Sequence, residues 1–271
     1  MERRVLTVAS HKGGVGKTTT TLNLAYSLGR IGARVLAFDL DPQGGLAAST
    51  LLRRRTERGL VDVMKRLATP VEVRVTSRDG LLTVVGLGGL ESDEIGHFER
   101  SAAGGPLRMA IDSLSDGFDI VLLDAPAGIG SVVRALLQAS DGVLLVVNCR
   151  AVTLRSLPTF LELVESVGRD PAARLVLEGV LVSMFDADDP GEARALAELE
   201  ELLPEGLLLR TRLPRSPAYE DASRRGLPLS LVPTPEAQAE ARRFLDLALE
   251  LRERQAVAPW TQSPDDEPGL F

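Results

Sequence analysis

The sequence predicts an α/β fold, a doubly wound, mostly parallel sheet with helices on both faces. Two observations carry this prediction. Short, nearly continuous apolar runs alternate with longer amphipathic stretches along the 271-residue chain, and a glycine-rich loop joins the first apolar run to the first helical pattern. Continuous apolar runs mark strands buried on both faces, as parallel strands are. Their alternation with helices gives layered folds with right-handed crossovers.

The apolar runs fall at residues 5–9, 35–38, 81–85, 120–123, 143–147 and 179–184. Helical patterns lie at 18–29, 105–114, 131–139, 154–167, 192–203 and 235–254. Residues 46–105 break the rhythm; arginine-rich, then glycine-rich, they are expected to carry variable loops near the site. Residues 256–271, with Pro259, Pro264, Asp265, Asp266, Glu267 and Pro268, read as a disordered acidic tail behind a single domain spanning 1–255.

Composition narrows the classes. With 44% hydrophobic and 25% charged residues the chain is an ordinary globular protein, long enough to bury a full core. A lone cysteine, Cys149, excludes a disulfide framework and fits a reducing, cytoplasmic setting. The N-terminus lacks the apolar core of a signal peptide, and no run approaches the roughly 18 apolar residues of a membrane span. A net charge of −7 argues against a surface coated in nucleic-acid contacts but allows a local basic patch. Lysine occurs only at Lys12, Lys17 and Lys65, while the other 28 of 31 basic residues are arginine. Two lysines within one short loop therefore stand out.

That loop, Ser10-His11-Lys12-Gly13-Gly14-Val15-Gly16-Lys17-Thr18-Thr19, follows a strand and opens a helix. Glycines let successive N–H groups turn onto one anion, and the helix N-terminus adds partial positive charge. Lys17 is placed to reach β- and γ-phosphates, and the Thr18 hydroxyl to ligate Mg²⁺. The pattern G-x-x-x-x-G-K-[ST] needs glycine where this chain has His11; in its place a second lysine, Lys12, precedes Gly13-Gly14. The loop reads as a nucleoside triphosphate site, for ATP above all.

Two further strands end in carboxylates, at Asp39-Leu40-Asp41-Pro42-Gln43 and Asp124-Ala125-Pro126. Ligands of open parallel sheets bind at the carboxyl ends of strands, so Asp39, Asp41 and Asp124 belong on the edge that holds the loop. Asp124 is expected to hold Mg²⁺, Asp41 to orient the attacking water, and Asp39 to act there or merely support the loop.

Lys12-Gly13-Gly14-Val15-Gly16-Lys17-Thr18-Thr19-Thr20 resembles the deviant Walker A motif of the ParA/MinD family of ATPases. Asp39-Leu40-Asp41-Pro42-Gln43-Gly44 resembles the second motif of that family, and Asp124-Ala125-Pro126 its Walker B. The likeness continues through residues 177–181, 184–186, 213–217 and 222–228, covers most of residues 4–254, and lies nearest the Soj-like partition branch. It implies that ATP and Mg²⁺ close two subunits into a homodimer, with the lysine at the Lys12 position reaching the partner's phosphates. A second cation offsets triphosphate charge only in the closed dimer, which links nucleotide occupancy to association.

On this resemblance the catalytic set is Lys12, Lys17 and Asp41, the nucleotide lies on Lys12 through Thr19, and Thr18 and Asp124 hold the metal. The base pocket falls at Met184, Asp186 and Pro214. Hydrolysis is expected to be slow and stimulated by a ParB-like or other partner protein. The ATP dimer is expected to bind duplex DNA without sequence preference and to associate with the nucleoid. Arg212, Arg215, Arg224 and Arg225 are its expected contacts, within a late cluster that includes Arg210, Arg242 and Arg243. Asp188 and Asp189 stand where the partition branch tends to carry a DNA-contacting arginine, and they oppose phosphate.

The alternative is a MinD-like or flagellar-number positioning ATPase acting through membrane or protein contacts. Asp124-Ala125-Pro126-Ala127-Gly128-Ile129 favours it, because partition members usually carry two prolines there; an acidic tail, which anionic membrane repels, disfavours it. A metabolic enzyme on the same loop would need substrate or cluster residues, and a lone Cys149 excludes a cysteine-bridged cluster within one subunit.

Overall fold

The computed structural model describes residues 3–42, 45–46, 58–89, 98, 105–171 and 173–254. Its strands are β1 (Arg4–Ala9), β2 (Val35–Asp39), β3 (Val75–Thr76), β4 (Thr83–Val85), β5 (Ile120–Asp124), β6 (Gly142–Val147), β7 (Val176–Phe185) and β8 (Leu208–Pro214). They form one eight-stranded sheet in the order β3-β4-β2-β5-β1-β6-β7-β8. All pairings are parallel except that of β3 with β4 at one edge. The helices are α1 (Lys17–Arg30), α2 (Leu60–Met64), α3 (Pro70–Val73), α4 (Pro106–Leu114), α5 (Ser131–Gln138), α6 (Ala151–Gly168), α7 (Pro190–Leu202), α8 (Pro217–Arg225) and α9 (Pro235–Arg254).

Successive side chains of a strand face opposite ways, and the core divides accordingly. Val5 and Ala9 of β1, Leu36 and Phe38 of β2, and Val121 and Leu123 of β5 pack with α4, α5, α6 and α7. Their neighbours Leu6, Val8, Val35, Ala37, Ile120 and Leu122 pack with α1, α8 and α9 on the other face. Burying each large aliphatic or aromatic side chain contributes about 1.5–3 kcal/mol. Both faces are covered, which is why these strands are apolar throughout rather than alternating. The expected doubly wound sheet is borne out.

Five elements were not expected. In β8 only Leu209 and Leu213 are buried, because Arg210 and Arg212 interrupt its apolar pattern at the sheet edge. β3 is only two residues long. The polar helix α8 is bounded by its caps: the Ser216 side chain accepts from the Ala218 N–H, and Gly226 closes the helix with φ 62. Within the segment expected to be loop, two short helices form, α2 and α3, and α2 starts at a close backbone approach; a Cβ on Gly59 would lie 2.2 Å from the Gly88 nitrogen. The acidic tail expected over 256–271 lies outside the described residues, as do Gln43 and Gly44.

The strand order positions the site. From β1 the chain moves to β2 on one side, and from β5 it crosses β1 to reach β6 on the other. Such a reversal opens a crevice at the carboxyl end of the central strand, where β1 runs into the glycine-rich loop.

Candidate functional site

The loop after β1 turns on two glycines in the left-handed region, Gly14 (φ 73) and Gly16 (φ 88). Side chains there would cost about 1–2 kcal/mol each. Gly16 is the N-cap of α1, no side chain caps that end, and the first turn carries no acid. The helix thus meets the crevice with its N–H groups and positive dipole end available to an anion.

Lys17 is only 7% exposed. Burial pushes its ammonium below the usual lysine range, while the charges of Asp124 and Asp41 pull the other way. Lys12, by contrast, is only half-buried.

The strand register brings the carboxylates together. Asp124 of β5 is level with Val8 of β1 on one side and with Asp39 of β2 on the other. The Thr18 hydroxyl donates to Asp124 Oδ2 at 2.7 Å, and the Thr21 hydroxyl to Oδ1 at 3.1 Å. Burial pushes the Asp124 carboxyl up to about 7 and Asp39 adds to the shift, against the two hydroxyl donors and the Lys17 charge. Above it lies an open cleft of about 770 Å³, lined by Gly13, Gly14, Lys17, Thr18, Asp41 and Met184 among others.

A hydroxyl and a carboxylate in contact beneath this cleft form a hard-oxygen donor set suited to Mg²⁺. Among the described residues no group of three His, Cys, Asp or Glu side chains could hold a metal unaided.

Residues 3–176 match the AAA domain family. The chain is 30% identical over 266 residues to the chromosome partitioning protein ParA of Caulobacter vibrioides, covering 94% of this chain and 97% of that protein. The chain belongs to the ParA/MinD family of positioning ATPases. It is also 36% identical over 183 residues to the chromosome-partitioning ATPase Soj of Thermus thermophilus, covering 68% of this chain and 70% of the relative. A McdA variant from Cyanothece in complex with ATP shares the fold, with a TM-score of 0.76 and 23% identity over 96% of this chain and 99% of that one.

The structure brings residues of the three motifs to one place: Lys17, Thr18, Thr19 and Asp41 line one cleft, and Asp124 meets Thr18 beneath it. Of the expected base-pocket residues, Met184 lines the cleft. Asp186 and Pro214 stand at the adjoining ends of β7 and β8 without lining it. The expected DNA-contacting arginines all carry acidic partners. Arg212 pairs with Glu200 at 2.9 Å, Arg215 with Glu192 at 2.8 Å, and Arg224 and Arg225 both with Asp221.

Three contributors escape any motif. Thr21 shares Asp124 with Thr18. The Ser183 hydroxyl donates to the carbonyls of Val15, at 2.6 Å, and Val147, at 3.1 Å, tying the loop to β6 and β7. A Cβ on Gly45 would lie 3.0 Å from the Thr18 side chain, so glycine lets the backbone approach that threonine. The threonine run from Thr18 to Thr21 was a visible signal for the first; the others arise from tertiary approach.

Proposed function

We propose that the chain is an ATP-dependent dimerisation switch for DNA segregation or the positioning of an intracellular cargo. ATP with Mg²⁺ lies on the loop from Lys12 to Thr19, with Lys17 on the phosphates, Thr18 and Asp124 at the metal, and Asp41 orienting the attacking water. Two ATP-bound subunits close on each other, and Lys12 reaches the partner's phosphates. The closed dimer holds duplex DNA without sequence preference, and a ParB-like or other activating protein stimulates its slow hydrolysis. The ATP in the McdA complex and the partitioning roles named for the two relatives support this reading.

The observation that carries it is the contrast between the two lysines. Lys17 is buried and feels the charges of Asp124 and Asp41, whereas Lys12 is only half-buried. Two cations in one loop, one buried within the subunit and one partly exposed, suit a site completed from outside.

Sedimentation with ATP or ADP tests this. ATP is expected to shift the intact chain and Asp41→Ala to dimer, with Asp41→Ala accumulating more. Lys12→Ala is expected to bind nucleotide and remain monomeric. An unchanged ATP-dependent dimer in Lys12→Ala removes the cross-subunit role. Absence of duplex DNA binding by ATP-loaded Asp41→Ala at low salt removes the DNA role.

A further inference from the structure

The ends of β7 and β8 lie side by side but do not match in length. Between the Val182–Arg212 and Phe185–Pro214 pairs, β7 carries one residue more than β8. Within that step Met184 takes a left-handed conformation, φ 52. Bulges beside a site re-aim a side chain, and a left-handed residue other than glycine persists only where its surroundings hold it.

Two ties hold this one. On the loop side, Ser183 donates to the Val15 carbonyl. On the far side stands Glu192, in the first turn of α7. Its Oε2 accepts the Asp186 N–H at 2.8 Å, and its Oε1 accepts from the Arg215 guanidinium at 2.8 Å. The Arg215 N–H in turn donates to the Phe185 carbonyl at 3.3 Å. Glu192 is only 7% exposed, and Asp189 anchors its helix by accepting the N–H groups of Gly191 and Glu192. A carboxylate so far out of water is retained only with its partners in place, and here the partners belong to two different strand ends.

We propose that Glu192 is the positioning residue for nucleobase recognition: by joining the Met184–Asp186 turn to Arg215 it fixes the edge on which a purine lies. The proposal rests on the reading that Met184, Asp186 and Pro214 surround the base of ATP. Glu192 acts through the Asp186 backbone and Arg215 rather than by touching nucleotide. The phosphates are gripped separately, by the loop and Lys17, so base and phosphate affinity can be pulled apart.

Affinities of the full chain for ATP, GTP and inorganic tripolyphosphate, each with Mg²⁺, make the separation. In Glu192→Ala, ATP binding is expected to weaken about tenfold and the ATP-to-GTP ratio to fall toward one, while tripolyphosphate changes less than about twofold. Glu192→Gln keeps an oxygen for the Asp186 N–H and is expected to fall between; it serves if the alanine variant fails to fold. Arg215→Ala is expected to move the ratio the same way. Equal losses for ATP and tripolyphosphate, or an unchanged ratio in the Glu192 variants, overturn the proposal. If the unaltered chain binds tripolyphosphate as well as ATP, the base-site reading itself fails and takes the proposal with it.

Discussion

Thr18 donates to Asp124 at 2.7 Å, so the two groups expected to hold the cation are in direct contact with each other. Asp124 is fully buried, and burial with the neighbouring Asp39 pushes its carboxyl up to about 7, against about 3.9 in an unfolded chain. An acid raised on folding binds its proton more tightly in the native state. The contribution of this group to stability is therefore greatest below the unfolded value, falls as pH rises toward 7, and levels off above it. Asp124→Asn is expected to stabilise the nucleotide-free protein by about 1–3 kcal/mol at pH 8 and to lower Mg²⁺-dependent ATP turnover by about a hundredfold or more. Urea unfolding at two pH values and phosphate release check both; a variant less stable than the parent at pH 8 contradicts the argument.

Ser183→Ala removes the hydroxyl shared by the Val15 and Val147 carbonyls. Leaving such groups short of a donor costs about 1–3 kcal/mol. Because Val15 lies in the phosphate loop, ATP affinity is expected to fall several-fold along with stability. Calorimetric titration with ATP decides: unchanged affinity would confine Ser183 to the core.

Glu250 receives the N–H groups of Arg210, at 2.7 Å, and Thr211, at 2.9 Å. Burial alone would raise its carboxyl, but the backbone donors and Arg254 outweigh burial and hold it below the usual range. A depressed acid contributes stability that is present above its unfolded value, about 4.3, and lost as pH falls below it. Glu250→Gln is expected to cost about 1–3 kcal/mol at pH 7, with the difference from the parent shrinking toward pH 3. Urea midpoints at both pH values would reveal a constant difference if the idea is wrong.

Arg224 and Arg225 share Asp221, both as half-exposed pairs. Exposed pairs of this kind are worth about 1 kcal/mol or less, so a DNA phosphate can replace the carboxylate. Replacing both arginines with alanine is expected to weaken duplex binding uniformly across sequences and to reduce the salt slope by about 2. Fluorescence anisotropy over a range of salt concentrations measures it; an unaltered slope removes these residues from the interface.

The parts of the molecule legible in its sequence are those whose physics is local. Strands such as 120–124 are buried on both faces, and a buried strand must be apolar at every position. The loop was legible because glycine, lysine and hydroxyl must follow one another to wrap a phosphate. β8 was hidden by Arg210 and Arg212, which serve a half-exposed edge. The helix at Pro217–Arg225 was hidden by its polarity, although Ser216 and Gly226 marked its two ends. Ser183, Gly45 and Glu192 act on partners 168, 27 and 23 residues away in sequence, at Val15, Thr18 and Arg215, and no local pattern announces such meetings.

β8 ends the sheet on one side, and open sheet edges are where chains add to one another strand by strand. Between the Val180–Leu208 and Val182–Arg212 pairs β8 carries two more residues than β7, and the N–H groups of Arg210 and Thr211 turn onto Glu250. This stretch of edge therefore offers no template to a neighbouring molecule. In the dimerisation switch proposed above, the bulge would act as a terminator: it opposes strand-by-strand growth at this edge and leaves self-association to the nucleotide face.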